Sequence, residues 1–298
     1  MTDIKKPQTA RQDPSKMAEG IALHRFSESR LPEDERILYD PYAIHFIDPN
    51  ILGWAASHPA EAKALADEWE QKMPGWSNTI RARVRYFDDF VKDDAGHGLE
   101  QLIIPGAGYD TRACRLPELK TVKIFELDRP ETQTVKTGII KKIFGSLPGN
   151  VEYIPADLET ESLEQCLISA GYSRAKKTLY VLEGFVMYMP RETVGELLSF
   201  IREKSGSGSS VIFDYIPACM AEGTCNREDA KNIRDFTIAV GEPLRSGFRE
   251  GEAIPFLEGL GFTGVHVVTG EDFRRLYFQG KNEGRPVSDL MSVMSAEV

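Results

Sequence analysis

The amino-acid sequence predicts an α/β fold in which a mostly parallel sheet is covered by helices on both faces. The first observation is that short apolar runs alternate with helical segments from residue 101 onward. The second is that the first two runs enclose a glycine turn and a short polar helix, in QLIIPGAGYDTRACRLPELKTVKIFELD. Such alternation is typical of parallel strands, because each connection between them must cross a face of the sheet. We expect strands at Leu102–Pro105, Val122–Leu127, Val151–Pro155, Leu179–Leu182 and Val211–Tyr215.

The region before the sheet is mainly helical in pattern and predicts a cap. Residues 1–16 are polar, and we expect them to fray. HPAEAKALADEWEQKM, residues 58–73, has the spacing of an amphipathic helix and stops before a Pro-Gly pair. We therefore expect residues 1–75 to form a helical N-terminal cap and residues 76–298 to form the sheet domain.

Helical segments separate the later strands and follow the fifth one. The sequence predicts them at about 130–143, 160–170, 190–204, 226–240 and 251–260. The segment at about 216–250 is longer than the sheet requires, and we expect it to form a lid over the site. Two closing strands are expected around Val265–Val268 and Arg275–Phe278.

Composition narrows the class of protein. The chain has 298 residues, 41% of them hydrophobic, and a formal net charge of −10, which disfavours nucleic acid as a partner because phosphate binding needs a basic surface. The cysteines form no C-x-x-C pair and no zinc spacing, so we expect reduced thiols and no metal site. No apolar run is long enough for a membrane span or a signal peptide, which predicts a cytoplasmic protein without a membrane partner.

The glycine turn and the acids that follow it predict a nucleotide-type cofactor. Gly106 and Gly108 allow a sharp turn and a close approach of the backbone to a ligand. Glu126 and Asp128 come about 20 residues later, where a carboxylate can accept hydrogen bonds from ribose hydroxyls, and Asp128 lies nearer the strand end. Thr111 replaces the third glycine of a dinucleotide fingerprint, and a triphosphate loop is missing. S-adenosylmethionine, which has a ribose but no phosphate, fits better than NAD or ATP.

An arginine in the helix Asn78–Val91 adds a second candidate. Arg83 falls on the shoulder of the apolar stripe, whereas Arg81 and Arg85 are expected to point further away. An arginine at a core edge needs an anionic partner, because burial of an unpaired charge is costly. That partner is either a structural carboxylate or the methionine carboxylate of the cofactor.

Two acids after later strands complete the candidate set. Glu183 interrupts an apolar segment at the carboxyl end of the fourth strand, where a lone carboxylate must be hydrogen-bonded or functional. Asp157 follows the third strand, and its alternative role is to cap the next helix. Both should face the same crevice as the glycine turn, since ligands of open α/β sheets bind at the carboxyl ends of the strands.

With these residues placed, the chain resembles the leucine carboxyl methyltransferase family. The matching segments are IRARVRYFDDFV, IPGAGYDTRACRL, FELDRP, ADLE and LEGFVMYMP, together with DERILYDPYA and GEPLRSGF. The resemblance implies a class I S-adenosylmethionine-dependent methyltransferase, with a Rossmann-like sheet of seven strands, one of them antiparallel. Pro105 departs from the usual leucine of the family pattern.

The resemblance also implies roles for individual residues. Arg83 would hold the carboxylate of the cofactor, and Glu183 would approach its amino end. Gly106 and Gly108, with Ala107 between them, would line the methionine. Asp128 would bind the ribose, and Asp157 with Leu158 would flank the adenine.

We interpret the protein as an O-methyltransferase that acts on a hydroxyl or carboxyl group of a small organic molecule. A protein C-terminal carboxyl methyltransferase is the alternative, and an NAD-dependent oxidoreductase or a non-catalytic cofactor-binding protein is less favoured. A phenol or alcohol acceptor needs a general base, whereas a carboxylate does not. The residue types and positions allow four candidate bases: Tyr188, Tyr215, Asp214 and His24. Lid aromatics and methionines are expected at Phe26, Tyr39, Tyr42, Met220 and Phe236.

Overall fold

A seven-stranded sheet forms the centre of the protein. The computed structural model describes residues 13–298, so most of the N-terminal segment expected to fray lies outside the described residues. The strands are β1 Gln101–Pro105, β2 Lys123–Asp128, β3 Val151–Pro155, β4 Thr178–Leu182, β5 Ser210–Tyr215, β6 Thr263–Val268 and β7 Ser292–Glu297. Their order is β3-β2-β1-β4-β5-β7-β6, and β7 pairs antiparallel with both of its neighbours. The predicted fold class, with one antiparallel strand, is confirmed.

Twelve α-helices are present among residues 13–298. They are α1 Lys16–Ser29, α2 Pro49–Ser57, α3 Pro59–Lys72, α4 Trp76–Gly96, α5 Arg112–Arg115, α6 Pro130–Phe144, α7 Leu163–Ser169, α8 Arg191–Lys204, α9 Ala218–Glu222, α10 Glu228–Ala239, α11 Ala253–Gly259 and α12 Gly270–Tyr277. The five helices predicted after the second strand correspond to α6, α7, α8, α10 and α11. None of the described helices is long and apolar enough to cross a membrane.

One closing strand was assigned wrongly from the sequence. Arg275–Phe278 was expected to be a strand, but most of it belongs to the helix α12, and the antiparallel strand is β7. Thr269 and Asp272 form a capping box, in which each side chain accepts a hydrogen bond from the other residue's backbone N–H. Because this box starts a helix at Gly270, the aromatic residues after it continue the helix.

Side chains from both faces of the sheet are buried. On one face, Leu102 and Ile104 of β1 pack with Phe87 of α4. On the other, Ile103 packs with Leu198 of α8. The central strands β1 and β4, whose residues are all buried, therefore consist largely of apolar residues, as parallel strands covered on both sides do.

The turn after β1 requires its glycines. Gly106 has φ +65° and Gly108 has φ +48°. A Cβ on Gly106 would lie 2.4 Å from the ring of Phe185, and one on Gly108 would lie 3.1 Å from Cβ of Ala18. The second contact places α1 directly over the glycine turn, so the N-terminal helix covers the carboxyl edge of the sheet.

Candidate active site

A cavity of about 1480 Å³ lies at the carboxyl ends of β1, β2 and β4, beneath α1, α3 and α10. The predicted cofactor residues all line this single cavity. They are Arg83, Gly106, Ala107, Gly108, Asp128, Asp157, Leu158 and Glu183. The parallel sheet brings them together because the carboxyl ends of its strands share one edge.

Asp128 is fixed at the end of β2 by two backbone amides. Its Oδ2 accepts a hydrogen bond from Gly108 N at 2.6 Å, and its Oδ1 accepts one from Arg129 N at 2.7 Å. Burial raises the pKa of Asp128, and the two amide donors and nearby cations oppose that rise. The carboxylate thus ties the strand end to the glycine turn within the cavity wall.

Glu126, the other acid of this strand, has a different environment. It is fully buried, and its Oε2 lies 2.5 Å from Nζ of the fully buried Lys136 of α6. Burial raises the pKa of Glu126 to about 7, although Lys136 opposes the shift. Glu126 is not among the residues that line the cavity, and only Asp128 extends into it.

Arg83 is buried and ion-paired within the protein. Its Nε lies 3.1 Å from Oε1 of Glu183, and its Nη1 donates to Oδ2 of Asp214 at 2.9 Å. Among residues 13–298, no hydrogen bond from its Nη2 is found, and the guanidinium lies beside Gly184 at the cavity wall. Arg83 therefore has the structural carboxylate partners that the sequence analysis named as one alternative, and binding of the cofactor carboxylate stays a prediction.

Arg112 is a residue that the sequence analysis missed. It is 2% exposed, and its Nε donates to Oδ1 of Asp88 at 2.7 Å while its Nη2 donates to Oε2 of Glu183 at 2.6 Å. Its Nη1 pairs with Asp110, which also lines the cavity. Burial alone would raise the pKa of Asp110, but Arg112 and neighbouring cations lower it to about 2. The signal was present as the D-T-R run after the glycine turn, where an arginine lies two residues after an acid.

The four candidate bases separate into two groups. His24 and Tyr188 line the cavity, whereas Asp214 and Tyr215 do not. Asp214 is fully buried and accepts hydrogen bonds from Arg83 and from Gly184 N, and the ring of Tyr215 packs on Phe248 with centroids 5.1 Å apart.

The two candidates at the cavity are both uncharged at neutral pH. Burial, together with the positive charges of Arg81 and Arg83, lowers the pKa of His24 to about 3. Burial and the nearby Glu242 carboxylate raise the pKa of Tyr188.

The part of the cavity away from the glycine turn is apolar and aromatic. All three tryptophans of the chain line it, as do methionines and aliphatic residues of the cap and of α10. This apolar part is called the acceptor chamber after the function proposed below, and its residues include Ile21, Trp54, Leu65, Trp69, Met73, Trp76, Met187, Ile216, Ile233, Phe236 and Met291. Among the five expected lid residues, only Phe236 lines the cavity, where it packs edge-on against Trp69 at 4.8 Å.

The other four expected lid residues have different neighbours. Phe26 packs with the core under α1, and Met220 is buried with Ile216 and Ile233. Tyr42 packs against Phe144 at 5.0 Å. Tyr39 is half-exposed, beside Arg36. Helical spacing identified apolar residues of the cap but could not tell which of its sides faces the cavity.

Arg81 also departs from its expected position. It lines the cavity, where its Nη1 donates to Asn78 at 2.9 Å and its Nη2 donates to Ser27 at 3.0 Å. Because α1 packs against α4, the side of α4 that the helical pattern left outside is covered by the cap. Arg85 does point away, and pairs with Asp89 at the surface.

Comparisons with known proteins agree with this geometry. A profile of the family "Leucine carboxyl methyltransferase" matches residues 18–202. "Putative S-adenosyl-L-methionine-dependent methyltransferase YktD" of Bacillus subtilis (strain 168) is 30% identical over 210 residues, which cover 70% of this chain and 68% of the relative. A protein of Rhodococcus jostii (strain RHA1) with the same type of name is 29% identical over 278 residues, 91% of this chain and 87% of the relative.

Solved structures share the fold. One is the crystal structure of a "putative methyltransferase" from Thermobifida fusca YX, with a TM-score of 0.59 and 13% identity over 99% of both chains. Another is a "duf574 family protein" from Streptomyces avermitilis MA-4680, with a TM-score of 0.58 and 14% identity over 96% of this chain and 98% of the other. At these identities the likeness supports the fold alone.

The family match covers more than half of the chain and includes the helix of Arg83, the glycine turn, Asp128 and Glu183. It confirms the resemblance seen in the sequence, the enzyme class and the methyl donor. The chain belongs to the leucine carboxyl methyltransferase family of S-adenosylmethionine-dependent methyltransferases.

Proposed function

We propose that this protein transfers a methyl group from S-adenosylmethionine to a hydroxyl or carboxyl oxygen of a small, largely apolar organic molecule. The observation that carries the proposal is the two-part cavity, with charged residues and a glycine turn at one end and an apolar chamber at the other. Its volume of about 1480 Å³ exceeds the roughly 300–1,000 Å³ of a typical single-ligand pocket. The cavity therefore has room for the cofactor and a second molecule.

The residues at the charged end fit the proposed cofactor. Gly106 and Gly108 line the cavity without side chains, so a ligand can approach their backbone closely. The site also has no room for a side chain on Gly106, because a Cβ there would lie 2.4 Å from the ring of Phe185. Arg83 would bind the methionine carboxylate through Nη2, and Asp128 would accept hydrogen bonds from the ribose. Asp157 and Leu158 would flank the adenine, and Glu183 would face the amino group. Bound there, the cofactor would supply a methyl group on a positively charged sulfur.

The protein has three tasks in such a transfer. It must hold the acceptor oxygen in line with the methyl group, since positioning supplies much of the rate of a displacement reaction. The aromatic walls of the acceptor chamber exclude water and orient an apolar acceptor. For a hydroxyl acceptor, the neutral imidazole of His24 is the candidate at the cavity that can take up a proton, although its lowered pKa makes it a weak base. Tyr188, whose raised pKa keeps its phenol protonated, could only orient the acceptor by hydrogen bonding. A carboxylate acceptor needs no base.

The chamber lining favours a small apolar acceptor over a protein C-terminus. Trp54, Trp69 and Trp76 lie on three different helices and contribute aromatic surface to the chamber. Such a surface buries ring or chain carbons, whereas a peptide backbone needs polar partners for its amides and carbonyls.

Transfer of a labelled methyl group tests the proposal. The protein is incubated with labelled S-adenosylmethionine and separate panels of aromatic hydroxy compounds, apolar carboxylic acids and peptides that end in leucine. We expect label on members of the small-molecule panels and loss of transfer in Asp128→Ala. Transfer to the peptides alone would support the protein carboxyl methyltransferase. Binding of S-adenosylhomocysteine without transfer to any panel would support a non-catalytic protein.

A further inference from the structure

Two of the four cysteines meet where α9 ends. Cys219 lies in α9, and Cys225 lies in the connection that leads to α10. Gly223, with φ +71°, ends the helix and turns the chain back. Cys225 N then donates to the backbone carbonyl oxygen of Cys219 at 3.2 Å, next to a 2.9 Å bond from Thr224 N to the same oxygen. The turn therefore holds the two cysteine backbones side by side.

The electrostatics of Cys219 agree with this proximity. Burial together with the neighbouring Cys225 thiol raises the pKa of the Cys219 thiol to about 11. Both side chains are partly exposed, so a small reagent can reach them. A disulfide forms without backbone movement when the Cα atoms are about 4.4–6.8 Å apart, a range compatible with a direct backbone hydrogen bond between the two residues.

The remaining cysteines lie elsewhere in the fold. Cys114 lies on α5 and packs near α6, whereas Cys166 lies on α7 on the opposite face of the sheet. They provide matched single thiols in the same chain.

We propose that Cys219 and Cys225 are the site of a reversible intramolecular disulfide. A small disulfide such as oxidised glutathione supplies the oxidising equivalent. One cysteine thiolate attacks it, forms a mixed disulfide and releases one glutathione thiol; the second cysteine thiolate then displaces the other glutathione. The protein loses two hydrogen atoms in total, and the reagent gains them as two thiols. The raised pKa makes the reaction faster in alkaline buffer, because the thiolate is the attacking form.

The bond would tie together elements that form the wall of the acceptor chamber. Cys225 packs against the cluster of Met73, Met187 and Ile216, and α10, which follows it, contributes Ile233 and Phe236 to the cavity. No cysteine is among the residues that line the cavity. The modification is therefore expected to restrain the lid while leaving the cofactor residues untouched.

Intact-mass spectrometry and peptide mapping test the proposal on the full-length protein. After treatment with oxidised glutathione at alkaline pH, we expect the folded wild-type protein to lose two hydrogen atoms and to yield a linked peptide pair of Cys219 and Cys225. Reduction should restore the mass. Cys219→Ser should instead retain one glutathione adduct, at Cys225, because the resolving thiol is gone.

Cys114→Ser and Cys166→Ser are the matched controls and should form the bond as the wild type does. S-adenosylhomocysteine affinity should be equal before and after oxidation. Stable glutathione adducts on both Cys219 and Cys225 of the wild type, a link to another chain, or retention of both thiols would overturn the proposal.

Discussion

Charged side chains line the part of the cavity at the glycine turn, which we propose binds the cofactor, whereas aromatic and aliphatic side chains line the part that we propose binds the acceptor. Around the glycine turn, Arg83 and Arg112 share Glu183, and each binds further buried carboxylates. By contrast, α2 and α3 of the cap contain no buried residue, and Leu65 in the chamber is 57% exposed. The comparison indicates a rigid charged part of the cavity beside an apolar part whose α2 and α3 side is exposed, because interlocked charges fix geometry whereas sparse apolar contacts allow local opening.

The largest effect is expected from breaking the charge network itself. Arg112→Met should lower the free energy of unfolding by about 3–5 kcal/mol, since it leaves the buried acids Asp88, Asp110 and Glu183 without their shared cation. Denaturant unfolding measures this loss. The control is Arg85→Met, whose exposed pair with Asp89 should be worth at most about 1 kcal/mol. Equal effects of the two changes would show that the network is not a structural unit.

Arg83 tests whether the network also binds the cofactor. Arg83→Met should weaken the binding of S-adenosylhomocysteine by about 1.5–3 kcal/mol, the range for hydrogen bonds to charged groups. Arg81→Met should have a smaller effect, because Arg81 lies beside the acceptor chamber, and Arg85→Met should have none. Calorimetry on variants first shown to be folded gives the comparison. If all three bind alike, the assignment of Arg83 is wrong.

Asp128 and Glu126 form a second matched pair. Asp128→Ala should weaken the binding of S-adenosylhomocysteine by about 1–3 kcal/mol, because the carboxylate of Asp128 lies in the cavity wall. Glu126→Gln should change stability rather than affinity, because Glu126 pairs with Lys136 inside the core. Calorimetry and unfolding on both variants separate the two effects. Unchanged affinity in Asp128→Ala would move the ribose contact to another residue.

The pH dependence of stability tests the environment of His24 at the cavity. Its pKa falls from 6.5 to about 3 in the folded protein, so protonation favours the unfolded chain. Above about pH 6.5, His24 is neutral in both the folded and the unfolded chain, so its lowered pKa does not affect stability. As the pH falls below that value, the free energy of unfolding of the wild type should decrease relative to that of His24→Gln. Unfolding free energies of the two proteins from pH 8 to pH 5 provide the check. A constant difference over this range would contradict the lowered pKa.

The sequence predicted which residues line the charged part of the cavity better than which residues line its apolar part. Gly106, Asp128 and Glu183 each follow a strand, and parallel topology alone brings strand ends to one edge. Chamber residues such as Trp54 and Trp76 come from separate helices, whose relative rotation depends on tertiary packing that helical spacing does not encode. Arg81 shows the same limit, because α1 covers a side of α4 that the hydrophobic pattern of α4 assigned to solvent. Arg112 was missed because its three partners lie on different segments of the chain.

Trp69 provides the most direct test of the division between the two halves. Trp69→Ala removes the contact with Phe236 that joins α3 to α10. The loss of this ring pair should lower the free energy of unfolding by about 0.5–1.5 kcal/mol, in addition to the effect of the lost apolar burial. The measurement is S-adenosylhomocysteine affinity and methyl transfer on the same folded samples of wild type, Trp69→Ala and Asp128→Ala. We predict that Trp69→Ala binds the cofactor product as the wild type does but transfers methyl groups more slowly, whereas Asp128→Ala loses affinity. Equal loss of affinity in both variants would contradict the account, because the acceptor half would then also support the cofactor.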